Sequence, residues 1–281
     1  MPSTLRTATT DGVRIVTLSR AAEYNTITPA LRDELVEAID LADRDPEVHV
    51  ILLNAEGPAF CAGYGLDWAT ARPPGDGTPR RPVWDSVADM QMIGRFADTY
   101  MKLWYAKKPT IAAVQGWCIC GGTDMVLCAD MIIAADDATF GYPTSRVWGT
   151  TTTAMWVYRM GFEKAKRYLL TGDEIPAKKA AEIGLILETV PAASLAEHSL
   201  AFAKRMAMTP INQLIMLKLL CNQAAENMGL SSTRQLGDLF DGIARHTQEG
   251  LDFVARSQEA GFRQAVRERD DPFGDYGSRP R

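Results

Sequence analysis

The chain has 281 residues, 46% of them hydrophobic and 23% charged, so it can close one substantial core and falls in the ordinary soluble globular class. Its formal net charge of −5 argues against a binder of nucleic-acid backbones, which needs a basic face to release counterions. The five cysteines (Cys61, Cys118, Cys120, Cys128 and Cys221) match no zinc or disulfide spacing and are expected to be reduced, buried small hydrophobes. The three histidines stand away from any acid or cysteine cluster, so neither a metal centre nor a Cys-His nucleophile pair is expected. The N-terminal residues lack a long apolar run and the stretch 109–123 is too short to span a bilayer; a cytoplasmic protein with no membrane partner is expected.

In chain order, "LRTATTDGVRIVTLS" predicts two strands around an Asp11-Gly12 type I′ turn. "TPALRDELVEAIDLA" predicts a helix with Thr28 as N-cap and Pro29 at its first position, Leu31, Leu35 and Ile39 sharing one face. "VHVILLN" reads as a strand buried on both sides, which makes the opening an α/β pattern. Residues 71–82, "ARPPGDGTPRRP", predict an exposed loop insertion, and helical spacing resumes at Trp84. Then follow a strand at "PTIAAVQG", a helix at "GTDMVLCA" and a strand at "DMIIAA". Helices are predicted to end at Gly172 and Gly184, and 194–269 carries almost unbroken helical spacing whose Met and Leu stripe suits core or subunit interface. No internal sequence repeat is visible. The expected division is a core over 1–195 and a helical region over 196–281.

Two glycine-rich turns carry the chemistry. "CICGGTDM" follows one buried strand and "GPAFCAGYGLD" another; in a parallel sheet both turns would lie on one edge. Glycines at a helix start let a ligand approach unpaired N–H groups, although a tight packing turn needs glycine as well. Two converging N–H donors would form an oxyanion hole for a polarised carbonyl.

With "SRAAEYNTITPALRDEL" and "YLLTGDEIPAKKAAEIGLILETV", these turns make four ordered blocks that resemble the crotonase superfamily of enoyl-CoA hydratases and isomerases. The resemblance implies a spiral of repeated ββα units, a helical C-terminal region that builds a homotrimer or a pair of trimers, and acyl-CoA thioester substrates. Coenzyme A would enter as part of the substrate, with no separate cofactor. It implies oxyanion N–H donors at Tyr64 and Gly121. Residues Tyr64, Gly65, Leu66, Asp67 and Trp68 would help to seat coenzyme A, together with Gly122, and Tyr142 and Arg146 would line the acyl pocket. Hydratases of this family carry one glutamate three residues after the oxyanion glycine and another after the F-G-x-P turn. Here those places hold Asp124 and Thr144, so the chain departs from the pattern at both.

A carboxylate one methylene shorter sits farther back, and a threonine offers no base at neutral pH. Asp124 is therefore read either as a catalytic or water-positioning acid, or as a residue that satisfies local N–H groups at a helix start. Asp130 fits a structural acid. Asp67, Asp85, Asp89 and Arg146 are candidates to replace the missing acid or to hold the acyl chain, and Trp68, Trp84, Trp104, Tyr142 and Trp148 to wall the pocket. The expected activity is enoyl-CoA hydratase, with an isomerase, a C–C bond hydrolase or a non-catalytic acyl-CoA binder as alternatives.

Overall fold

The computed structural model describes residues 3–65 and 85–276. The expected loop at 71–82, with Leu66, Asp67, Trp68 and Trp84, lies outside the described residues. β1 (Leu5–Thr10) and β2 (Val13–Leu18) form the predicted hairpin; Asp11 and Gly12 take φ of 47° and 76°, as a type I′ turn requires. In α1 (Pro29–Arg44) the Thr28 hydroxyl accepts from the Leu31 N–H, and Leu31, Leu35 and Ile39 are buried.

β2 pairs in parallel with β3 (Val50–Ala55), which leads through β5 (Thr110–Val114) and β7 (Met131–Ala135) to β10 (Glu188–Val190). The other sheet has four strands in the order β4 (Ala59–Cys61), β6 (Trp117–Ile119), β8 (Thr139–Gly141) and β9 (Ile175–Pro176). Each turn of the fold thus sends one strand to the large sheet and a shorter one to the small sheet. α2 (Ser86–Tyr105) follows β4 and α3 (Gly121–Leu127) follows β6. This is a repeated ββα spiral without a visible sequence repeat.

Along β3 and β5 the side chains alternate between two cores. Ile51, Leu53, Ala112 and Val114 join the cluster with α1 and α2, whereas Val50, Leu52, Ile111 and Ala113 meet Leu195 and Ala203 of α7 (Leu195–Ala207). α7 thus seals the outer face of the large sheet. α4 (Met155–Met160), α5 (Phe162–Thr171) and α6 (Ala177–Glu182) complete the core region. Gly172 takes φ 68° at the end of α5. Then come α8 (Ile211–Asn227), α9 (Leu230–Ala244), α10 (Gln248–Ala260) and α11 (Phe262–Asp270). Among the described residues, no helix is long and apolar enough to cross a membrane. Cys61, Cys118 and Cys128 are buried as expected, but Cys221 on α8 is exposed.

Arg146 ties the C-terminal residues to this core. It sits on a 3-10 turn (Pro143–Arg146), and its Nη1 donates to Asp270 Oδ1 at 3.0 Å and Asp275 Oδ1 at 2.8 Å. Nη2 donates to Asp275 Oδ2 at 2.8 Å and Nε to the Thr171 carbonyl at 3.0 Å. The Phe273 ring lies over the guanidinium, 3.9 Å from it. Burial alone would lower the Arg146 pKa, but Asp275 and Asp270 outweigh it and hold the group above the ordinary arginine value. The expectation that Arg146 binds the acyl chain is corrected here: every guanidinium nitrogen is committed to the protein.

Removing this cation would take both guanidinium bonds from Asp275 and leave Asp270, whose side chain is 1% exposed, with Arg269 alone. Arg146→Ala is expected to cost about 3–5 kcal/mol in urea unfolding and to speed proteolysis near the C-terminus. A midpoint equal to that of wild type would contradict the clasp.

Candidate active site

The two glycine turns meet because β4 and β6 are parallel neighbours, with Ala59 opposite Trp117 and Cys61 opposite Cys118. Tyr64 and Gly121 lie shortly beyond the ends of these strands, on the same edge of the small sheet. Ile27 forms a parallel bridge to Tyr64: its N–H donates to the Gly63 carbonyl at 2.8 Å, and its carbonyl accepts from Gly65 N–H at 2.9 Å. In a parallel bridge this turns the Tyr64 N–H to the side away from Ile27. Gly121 opens α3, where the first N–H groups have no intrahelical acceptor.

Packing explains the glycine pair as well. A Cβ on Gly122 would sit 2.5 Å from the Cys61 carbonyl oxygen, and one on Gly121 would sit 2.8 Å from the Tyr64 ring. The helix start can lie on the β4 turn only without side chains. Cys120, at φ 53° and ψ −126°, carries strained backbone there. Its N–H donates to the Gly141 carbonyl at 2.9 Å, which holds the turn against β8. Burial pushes the thiol of Cys61, on the facing strand, up to about 12, so this cysteine is no nucleophile at neutral pH.

Against this edge lies a cavity of about 260 Å³. Ala62, Tyr64, Ile119 and Cys120 form its floor. α2 supplies Met92, Ile93 and Phe96, and Tyr142, Thr144, Trp148 and Gly149 come from the turn after β8. The C-terminal helices close it with Phe253, Phe262 and Val266, and add Asp241, Arg245 and Arg269. The Tyr64 ring stands edge-on to Phe96 at 5.4 Å, and its hydroxyl accepts from the Tyr100 hydroxyl at 2.9 Å. Burial raises the pKa of both phenols well above the usual tyrosine value, so both stay neutral.

Asp124 lies within α3 with no solvent exposure and does not line the cavity. Its Oδ2 accepts from the Thr152 N–H and hydroxyl, both at 3.1 Å, and Oδ1 from Trp156 Nε1 at 3.1 Å. Burial pushes its pKa up to about 7 against the pull of these donors. The side chain thus satisfies N–H groups, as one of its two readings held, but those of a neighbouring loop and of α4 rather than of its own helix. Thr144 does line the cavity, and its hydroxyl meets no partner among the described residues.

The other candidate acids are engaged in structure. Asp85 caps α2 by accepting from the N–H groups of Val87 and Ala88, and Asp89 pairs with His246. Asp130 accepts from the Thr110 N–H and pairs with the buried Lys218. Trp148 lies on the cavity wall, whereas Trp104 packs against the main core. Sequence reasoning missed Asp241. Its Oδ1 accepts from the Thr150 N–H at 3.1 Å, and burial pushes its pKa up to about 6. In "DLFDGIARH" it looks like any helix acid, and no local signal marks it.

Asp124→Ala is expected to cost about 2–4 kcal/mol by orphaning the Thr152 and Trp156 donors. An aspartate whose folded pKa is raised contributes stability fully below its unfolded pKa, near about 4, and loses it as pH rises through the folded value. The margin of wild type over Asp124→Ala should therefore narrow between about pH 4 and about pH 7. Denaturant titrations across that range that show a constant or widening margin would refute the assignment.

The enoyl-CoA hydratase/isomerase family model matches residues 8–264. The solved structure of an enoyl-CoA hydratase from Mycobacterium smegmatis is 43% identical, covering 98% of this chain and 96% of that one, with a TM-score of 0.91. The hydroxycinnamoyl-CoA hydratase-lyase of Pseudomonas fluorescens is 29% identical over 72% of each chain. The 2,3-dehydroadipyl-CoA hydratase of Escherichia coli is 26% identical over 89% of this chain and 95% of its own. By its sequence and its ββα spiral alike, the chain belongs to the enoyl-CoA hydratase/isomerase family.

Proposed function

We propose that the protein hydrates 2-enoyl-CoA thioesters, with the backbone N–H groups of Tyr64 and Gly121 holding the thioester oxygen as it gains enolate charge. The observation that carries this reading is the pair of turns after adjacent parallel strands, facing one apolar cavity. Peptide dipoles held by strands and a helix start need no reorganisation when charge develops, and one such donor is worth about 3 kcal/mol. Gly65 and Gly122 flank these donors and would lie along the coenzyme A thioester, with Tyr142 on the acyl side. Leu66, Asp67 and Trp68 belong to the same coenzyme A reading, on sequence resemblance alone.

The acyl group proposed is bulky or aromatic. Phe96, Trp148, Phe253 and Phe262 give the cavity flat apolar walls, against which a ring stacks edge-on or offset. A relative named for a hydroxycinnamoyl-CoA substrate supports the same reading. A homotrimer or a pair of trimers is proposed for the assembly; Met216, Leu217, Leu219 and Leu220 expose a wide apolar surface on α8.

Loss of the conjugated thioester absorbance tests the reaction. Cinnamoyl-CoA is expected to give a kcat/KM at least about tenfold above that of crotonyl-CoA, the margin that one well-filled apolar pocket supplies. Gly121→Ala should cut kcat about 100-fold or more by driving the Tyr64 ring off the hole. If butyryl-CoA leaves the melting temperature unchanged at saturating concentration and no enoyl-CoA turns over, the reading is wrong.

A further inference from the structure

Hydration needs a group that takes a proton from water and returns it to the α-carbon. The position where the family pattern puts its second acid holds Thr144, which has no such capacity. Asp124, at the place of the first, turns both oxygens to Thr152 and Trp156 and lines no part of the cavity.

Asp241 is differently placed. It reaches the cavity wall from α9, and only one of its oxygens is anchored: Oδ1 accepts from the Thr150 N–H, while Oδ2 meets no donor among the described residues. The anchoring residue is itself held on its other side, because the Thr150 carbonyl accepts from the Tyr142 hydroxyl at 2.7 Å. Thr150 ends the loop that begins at Thr144, whose carbonyl accepts from the N–H groups of Val147, Trp148 and Gly149. One turn before Asp241, Gly237 lets α9 press onto this loop; a Cβ there would meet the Thr151 carbonyl oxygen at 2.8 Å. The helix is therefore docked where it delivers a carboxylate to the loop that lacks one.

We propose that Asp241 is the acid-base residue of this cavity, supplied by the C-terminal helices in place of the glutamate missing at position 144. The inference rests on the acyl-CoA reading above. In the forward step the Asp241 carboxylate takes a proton from water as the water oxygen bonds to the β-carbon, and the π electrons move to the thioester oxygen. The enolate then reforms the carbonyl, and its α-carbon takes the same proton from the Asp241 carboxyl. Water is added in full and the carboxylate is regenerated.

The charged and titratable surroundings come from several elements. Arg245 and Asp238 share α9 with Asp241; Asp89, paired with His246, faces it from α2; Asp124 comes from α3, Tyr142 from the β8 turn and Arg269 from α11. Burial, with Asp89 adding to it, outweighs the Thr150 N–H and Arg245 and pushes the acid up to about 6. Since the carboxylate form is needed to accept the proton, kcat/KM should fall as pH drops below about 6.

The test uses the full chain with cinnamoyl-CoA and crotonyl-CoA across pH 4.5 to 8, roughly the span on either side of the acid limb. Asp241→Asn keeps the acceptor for Thr150, so it should bind butyryl-CoA as wild type does while kcat falls at least about 100-fold. Adding Thr144→Glu to that variant should restore turnover at least about tenfold, which a purely structural role for Asp241 would not allow. Should the Asn variant not fold, Asp241→Glu carries the test, with kcat expected to drop about 10- to 100-fold and its acid limb displaced. An Asn variant with wild-type kcat and the same acid limb overturns the proposal and leaves the acyl-CoA reading intact. The same holds for a Glu variant indistinguishable from wild type, whereas a wild type that binds butyryl-CoA but turns over neither substrate overturns the proposal and the hydration reading together and leaves acyl-CoA binding alone. Absence of any binding by wild type overturns both.

Discussion

The parallel pairing of two three-residue strands, β4 and β6, sets the geometry on which the rest of the site depends. Parallel neighbours end on the same edge, so the turns that leave them must meet there. Each of these strands is the short second member of a ββα unit, and its longer partner is fixed in the large sheet by two buried faces. The small sheet thus borrows its alignment from the large one. Strain at Cys120 and the close approach of Gly122 to Cys61 are tolerated because the cores on both sides leave the turn no other path.

Burial then sorts the carboxylates by neighbourhood rather than by sequence position. Asp124, Asp238 and Asp241 are all pushed upward by loss of water, and charge on Asp241 adds to the push on Asp124 and Asp238. Two such groups close together cannot both ionise cheaply. Asp124 has three hydrogen-bond donors around it and holds Thr152 and α4 against α3; among the described residues Asp241 has one donor, on Oδ1, and none on Oδ2. The same residue type therefore serves as a structural acceptor in one place and lines the cavity in the other.

The long elements were legible in the sequence and the short ones were not. The hairpin at Asp11-Gly12, the Thr28 cap, the buried strands and the glycine stops at Gly172 and Gly184 all have local causes, in turn chemistry or in periodicity over many residues. β4, β6, β8, β9 and β10 are two or three residues long, too short to show a period of two. For this reason the ββα repeat came from resemblance and not from pattern. The site divides the same way. The two glycine turns announce themselves, because backbone approach demands a particular residue. Arg146 misleads, because a cation beside a pocket turn looks like a ligand group until its partners at Asp270 and Asp275, over a hundred residues away, are in place.

The cavity's far wall is the least local part of the fold, and it is where side chains can change without disturbing the edge at which the two glycine turns meet. Phe253, Phe262, Val266 and Asp241 come from helices that the large sheet does not position; their placement rests on the packing of α9 along α2, with the Arg234–Asp98 and His246–Asp89 pairs, on the contact of α9 with the 149–152 loop and on the Arg146 clasp. A side chain on such a wall can be exchanged at the cost of its own packing alone, whereas any change at Gly121 or Gly122 meets backbone or a buried ring. In the proposed reading, polarising the thioester and moving the proton are separable physical tasks, one assigned to peptide groups locked between two sheets and the other to a side chain on a helical cover. A chain that keeps the first intact retains the means to stabilise an enolate while the second is supplied from another element, and the loop from Thr144 to Thr150, joined by its last N–H to Asp241, is the place where the two meet.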